Sequence, residues 1–200
     1  MLAFYYVALF AHVVGVLALF IASSFELASL ARLRGAKTLE DAHEAGRLAL
    51  IHLKVILPAV LTVLVAGLYM VFAAWDFTTA WIDVSLVIFL SHSVIARAVN
   101  APRAQAIHAA LAKAPAGPLS PDLRAKVGDP ILNAVNEIIF AQILGIVFMM
   151  TIKPGLIVAL LVVIVATLIG LVPTLLRRRK AALASIESDA SESAHALSVR

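Results

Sequence analysis

The sequence contains no cysteine. That absence excludes disulfides, thiolate metal sites, iron–sulfur clusters and covalent c-type haem attachment, so His or carboxylate would have to hold any metal. Charge is scarce as well. Only 14% of residues are charged against 62% hydrophobic, and the mean hydropathy of +1.01 lies outside the range of soluble domains. There is no Gly-rich phosphate loop, no paired helical His motif of the metalloprotease type and no Gly-x-Ser-x-Gly elbow, which argues against a hydrolase. The net charge of +4 does not point to nucleic acid, because the basic residues cluster beside apolar runs, where anionic lipid and insertion topology account for them.

What the chain does have is five apolar stretches. A bilayer core about 30 Å thick needs roughly 20 apolar residues at the helical rise, and stretches at about 2–25, 52–75, 81–100, 133–152 and 156–176 meet that length. The first has no Lys or Arg before Arg32, so it reads as a retained helix rather than a cleaved signal. The fourth must reach back through Asn133 and Asn136 to cross, because only Ile138 to Ile152 lies between Glu137 and Lys153. Positive charge then sets orientation. One side collects Arg32, Arg34, Lys37 and Arg47, then Arg103, Lys113, Arg124 and Lys126, then Arg177-Arg178-Arg179-Lys180; the other has Lys153 with Asp76 and Asp83. The expected fold is an all-α polytopic membrane bundle of five transmembrane helices over residues 1–180, N-terminus outside and C-terminus cytoplasmic.

The connections carry their own signals. Thr38-Leu39-Glu40-Asp41 looks like a capping box that starts a helix running through His43, Arg47 and His52 into the second span. Between Ala101 and Pro130, five prolines predict a short Ala-rich helix followed by an irregular linker. Lys153-Pro154-Gly155 reads as a tight turn. Residues 181–200, rich in Ser and acids, are expected to be a disordered cytoplasmic tail. No internal repeat argues an inverted-repeat transporter.

Ionisable residues at membrane depth need a partner or a purpose. His12 and His92 each lie about ten residues from the external end of a span, near 15 Å depth at the helical rise. One reading makes them axial ligands of a b-type haem, with Gly15, Ala11, Ser91 and Ser93 as small neighbours. The other makes them interhelical glue, hydrogen-bonded to Ser, Gln142 or backbone carbonyls. A second group lies toward the basic side: Glu26, His52, Lys54, Arg97 and Glu137. These, with Gln142, suit a proton path or a site for an anionic substrate or quinone headgroup, or else simple interfacial pairing. Glu137 and Lys54 are the preferred functional candidates of that group, whereas Arg97 reads as structural. Trp75 and Trp81 read as interface anchors. Arg177, Arg178, Arg179 and Lys180 read as a stop-transfer signal that can also hold anionic lipid. Gly67 reads as a close-packing position, and His108 and His195 as solvated imidazoles.

Over about its first seventy-five residues the chain resembles a family of uncharacterised bacterial predicted integral membrane proteins, a domain of unknown function. The resembling residues are Phe10-Ala11-His12-Val13-Val14-Gly15, Phe25-Glu26-Leu27 before Arg32-Leu33-Arg34, then Lys54 and Gly67-Leu68-Tyr69. The layout is distantly similar to copper-resistance D-type proteins and to the HemJ-type protoporphyrinogen oxidase. That resemblance implies a bacterial inner membrane location, haem b at His12 and a substrate-side cation at Lys54. The four Met residues form no spaced thioether motif for copper. Two functions follow as expectations: a haem-binding or redox membrane protein, or a non-enzymatic small-solute permease or subunit of a membrane complex. Substrate, protein partner and any homo-oligomer are not legible in one sequence.

Overall fold

In the computed structural model the described backbone covers residues 2–198, and the described side chains residues 3–184 and Ile186. His195 lies outside the described side chains. Seven α-helices follow in order: α1 Leu2–Gly35, α2 Leu39–Ala74, α3 Ala80–Ile95, α4 Ala101–Ala112, α5 Pro121–Val127, α6 Pro130–Ile152 and α7 Leu156–Ser198. Among the described residues, five stretches are long and apolar enough to cross a membrane: Ala3–Gly35, Leu39–Ala74, Ala80–Ala112, Pro121–Ile152 and Leu156–Ala184. The protein is an all-α multi-pass membrane bundle, with a lipid-facing surface of exposed Leu, Val, Ile and Phe.

α1 and α2 form an antiparallel pair whose seam repeats every 3.5 residues. On α1 the inward positions are His12, Gly15, Leu19, Ala22, Glu26, Ser29 and Leu33; on α2 they include Ala42, Ala45, His52, Ala59, Val63 and Ala66. Most of these residues are small, so the backbones come close. A methyl on Gly15 would lie 2.9 Å from Val63 Cγ2, and one on Gly67 would lie 3.2 Å from the His12 ring. Three side chains donate across the seam in one antiparallel register: His12 Nδ1–H to Val63 O at 2.9 Å, His52 Nδ1–H to Ala22 O at 3.0 Å and Ser29 Oγ–H to Ala45 O at 2.9 Å.

α6 and α7 form the second antiparallel pair. They cross most closely at Gly170, where an added Cβ would stand 2.5 Å from Ile138 Cα. Lys153 turns the chain between them in a left-handed conformation, φ 54° and ψ 54°. Its ammonium lies 4.8 Å over the Trp75 ring, so this turn and the α2–α3 turn share one end of the bundle. In the α2–α3 turn the Thr78 hydroxyl and N–H and the Thr79 hydroxyl donate to Asp76, holding its carboxyl below the usual carboxylate range. α3 packs on α6 and α7, and a contact of α1 with α6 joins the two pairs.

The opposite, basic end is capped. The capping box at Thr38 and Asp41 forms as expected. The segment after α4 is packed rather than a free linker: Leu39 N–H donates to Gly117 O at 3.0 Å and Leu119 N–H to Lys37 O at 2.9 Å. Leu119, Ile107, Leu111 and Val127 then bury against Leu30, Leu33, Ala42 and Ala45. Two further expectations are revised. The third span does not stop at Asn100 but runs through a π-helical turn, Ala96–Asn100, into α4. Pro102 explains the turn, because its ring would clash with the carbonyl four residues earlier in a regular helix. The tail expected to be disordered after Lys180 continues α7 as helix to Ser198, opening on Ala181-Ala182-Leu183-Ala184, which are strong helix formers.

Candidate functional site

Two cavities lie end to end in the groove between α1–α2 and α3–α6. One, of about 350 Å³, is lined from Tyr5 to Leu19 on α1, Val63 to Val71 on α2, Trp81 to Phe89 on α3 and Ile143 to Met150 on α6, with Trp75 and Lys153 at its rim. We refer to it as the tryptophan cavity. The other, of about 770 Å³, is lined from Leu19 to Leu33, Ala42 to Val60, Phe89 to Asn100 and Leu132 to Ile143, and by α4. It is the histidine cavity, because His43, His52, His92 and His108 all reach it. Leu19, Phe89 and Ile143 line both, so one apolar layer separates them.

The histidine cavity has a wall rich in hydrogen-bond acceptors. The half-buried carboxylate of Glu26 makes no hydrogen bond or ion pair among the described residues and lines the cavity together with His52 and His108. His52 gives its Nδ1–H to Ala22 O, which leaves Nε2 bare. At the π turn, Asn136 Nδ2 donates to Leu132 O, so its Oδ1 receives Asn100 Nδ2 at 3.2 Å. That leaves Asn100 Oδ1 buried without a partner. π turns of this kind are frequent at functional sites.

His92 is held by a relay that fixes its proton. Thr167 Oγ donates to Val163 O at 2.7 Å, so it accepts from Gln142 Nε2 at 2.9 Å. Gln142 Oε1 therefore faces His92 Nε2 at 2.6 Å, and that nitrogen carries the hydrogen. The relay ties α3, α6 and α7 together. Gln142 thus bridges His92 on α3 and Thr167 on α7.

The structure separates the two midplane imidazoles. His12 lines the tryptophan cavity and His92 the histidine cavity. His12 precedes the dividing Leu19 by seven positions while His92 follows Phe89 by three, an axial offset of roughly 15 Å at the helical rise. The equal-depth expectation assumed that both spans begin at one level, but α1 extends further past the dividing layer than α3 does. With His92 Nε2 engaged by Gln142 and the rings in different cavities, the pair does not fit the two axial positions of one haem. Among the described residues, no three His, Asp or Glu side chains are placed to hold a metal ion.

The second group of candidates also divides. Glu26 and His52 meet in the histidine cavity. Lys54 is exposed on α2 and lines neither cavity, as is Arg97 beyond α3. Glu137 is drawn to α7, where Arg177 Nη2 reaches its two oxygens at 2.5 and 2.7 Å and Thr174 Oγ donates at 2.9 Å. Arg34 donates to Asn133 beside this pair, so the cluster clamps α1, α6 and α7 together. Arg177 is therefore engaged by the bundle while staying partly exposed, and Arg178, Arg179 and Lys180 are fully on the surface. Trp75 and Trp81 stack edge to face at 5.5 Å on the cavity rim.

Sequence reasoning passed over Ser85, His43 and Arg47 as site residues and read His108 as solvated. Ser85 was accessible to it: Ile82, Ser85, Phe89 and His92 follow one helix face at spacings of three and four. His108 is exposed, as its reading as a solvated imidazole expects, and it reaches the cavity edge because the packed cap brings α4 there.

The family model described as predicted integral membrane protein, DUF2269, matches residues 6–154. The chain belongs to this family, whose function is unknown. The match runs from α1 through α6 and takes in every residue that lines either cavity except Tyr5. No curated protein and no solved structure matches the chain.

Proposed function

We propose that this member of the DUF2269 family is a non-enzymatic permease for a small solute that presents N–H donors, such as an alkylammonium. The observation that carries the reading is the pair of stacked cavities divided by Leu19, Phe89 and Ile143. A groove that is hollow on both sides of one apolar layer needs only side-chain rotation in that layer to connect them. The solute class follows from the histidine cavity, where Glu26, Asn100 Oδ1 and His52 Nε2 all accept hydrogen bonds. In this reading the basic end faces the cytoplasm of a bacterial cell, both termini follow the charge rule, and Arg178, Arg179 and Lys180 rest on anionic lipid of the inner membrane.

A haem-binding or redox role is the less favoured reading. It would rest on His12 alone, with Nδ1–H given to Val63 O and Nε2 bare, since the second imidazole lies across the dividing layer.

The chain's lack of cysteine makes the test direct. Ser93→Cys, on the histidine cavity, and Ser85→Cys, on the tryptophan cavity, are treated in sealed vesicles with a membrane-impermeant cationic thiol reagent. Ser93→Cys is expected to react from the basic face alone and Ser85→Cys from the opposite face alone; adding Phe89→Ala makes each reactive from both. Ethylammonium, which carries three N–H donors, should slow labelling of Ser93→Cys. If neither variant reacts from either face, the cavities are not solute paths and the proposal fails.

A further inference from the structure

We infer that the tryptophan cavity is a binding site for an uncharged apolar molecule bearing one hydroxyl, of the phenol class, held between His12 and Ser85. Both side chains line the cavity and both are more than nine-tenths buried, at 7% and 6% exposure. His12 donates Nδ1–H to Val63 O, which settles its tautomer and leaves Nε2 as a bare acceptor. Among the described residues Ser85 Oγ has no hydrogen-bond partner. Other hydroxyls in these helices do not behave this way: Thr62, Ser91, Thr151 and Thr167 each donate back to a carbonyl of their own helix. A buried polar atom without a partner is uncommon and calls for one.

Those two groups are complementary to a single hydroxyl. Its hydrogen is donated to His12 Nε2, and its oxygen accepts from Ser85 Oγ–H. Apart from Tyr5, the two tryptophans and Lys153 toward the rim, the remaining wall, with Val16, Leu86, Phe89 and Met150, is apolar, which suits an aromatic or aliphatic body. A charged solute passes this site without being retained, because it finds no counter-charge near His12 or Ser85 to offset the hydration it would lose by resting against that wall. The volume of about 350 Å³ falls in the range of small-molecule sites. This inference does not rest on the permease reading, since binding at the tryptophan cavity requires no passage through the dividing layer.

Both tryptophans of the chain, Trp75 and Trp81, line this cavity, so indole fluorescence reports its occupancy. The probes are 4-bromophenol and 4-bromoanisole on the detergent-purified full chain, with bromine as the quencher. Saturable quenching is expected from the phenol, with the anisole about fivefold weaker because it has no hydrogen to give His12. Ser85→Ala should weaken both probes by about the same factor, since each oxygen loses the same donor. His12→Leu should abolish the difference between them. Equal affinity of the two probes for the unmodified chain, or unchanged quenching in Ser85→Ala, would overturn the inference. Because those two results need only the native chain and a conservative variant, they decide the matter even if His12→Leu does not fold.

Discussion

Along α1 and α2 the polar side chains His12, His52 and Ser29 donate to backbone carbonyls of the facing helix, whereas along α6 and α7 the chief polar contact is between charged side chains, Glu137 with Arg177. The difference matters because a helical carbonyl already accepts its own backbone hydrogen bond. Losing a side-chain donor leaves that carbonyl satisfied. Losing Arg177 instead strands a carboxylate that is 11% exposed. The first pair therefore tolerates change at its polar positions and presents bare imidazole nitrogens to the cavities. The second has its polar groups engaged in holding helices together.

The sharpest test of this contrast is steric. Each pair has a glycine at its closest approach, but Gly170 faces the backbone of Glu137 and Ile138, while Gly15 meets chiefly the side chains of Val63 and Thr62. A side chain can rotate aside and a helix backbone cannot. Gly170→Ala is expected to cost about 3 kcal/mol, and Gly15→Ala about 1 kcal/mol, in SDS unfolding titrations of the chain in mixed micelles. Equal costs would mean that the two seams are packed alike.

Next in size comes the ion pair. Arg177→Met should destabilise the chain by about 2 kcal/mol, a figure reduced because the Arg177 side chain is 37% exposed. Adding Glu137→Leu should recover part of that loss, since the stranded charge is then gone. A double variant no better than the sum of its parts would show that Glu137 is held by something other than Arg177.

How much of this was legible beforehand follows the same division. The five spans and the basic bias could be read directly, because bilayer thickness constrains length and composition so tightly. The inward face of α1 was not read, since the span is apolar all round and hydrophobicity carries no signal of its rotation. It is marked by the small and polar residues His12, Gly15, Ala22, Glu26 and Ser29 at heptad spacing. The partner of Glu137 was not legible. Arg177 lies 40 positions away on a helix whose crossing is set by Gly170, and nothing local connects them. The depth of His92 was missed for a similar reason: spans were aligned by their ends, whereas packing aligns them by the dividing residues Leu19, Phe89 and Ile143.

The smallest effect is the most specific to the first pair. His52→Leu removes a donor to Ala22 O but leaves that carbonyl its helical partner, so the expected cost is about 0.6 kcal/mol, the average for interhelical hydrogen bonds in membrane bundles. Yet the same substitution removes the bare Nε2 beside Glu26 and so changes what the histidine cavity accepts. A position that contributes little to stability and much to the cavity should separate two readouts. Protection of Ser93→Cys by ethylammonium should fall severalfold while the unfolding midpoint barely moves. A large loss of stability without loss of protection would instead place His52 among the structural residues, with Glu137 and Arg177, and erase the contrast between the two pairs.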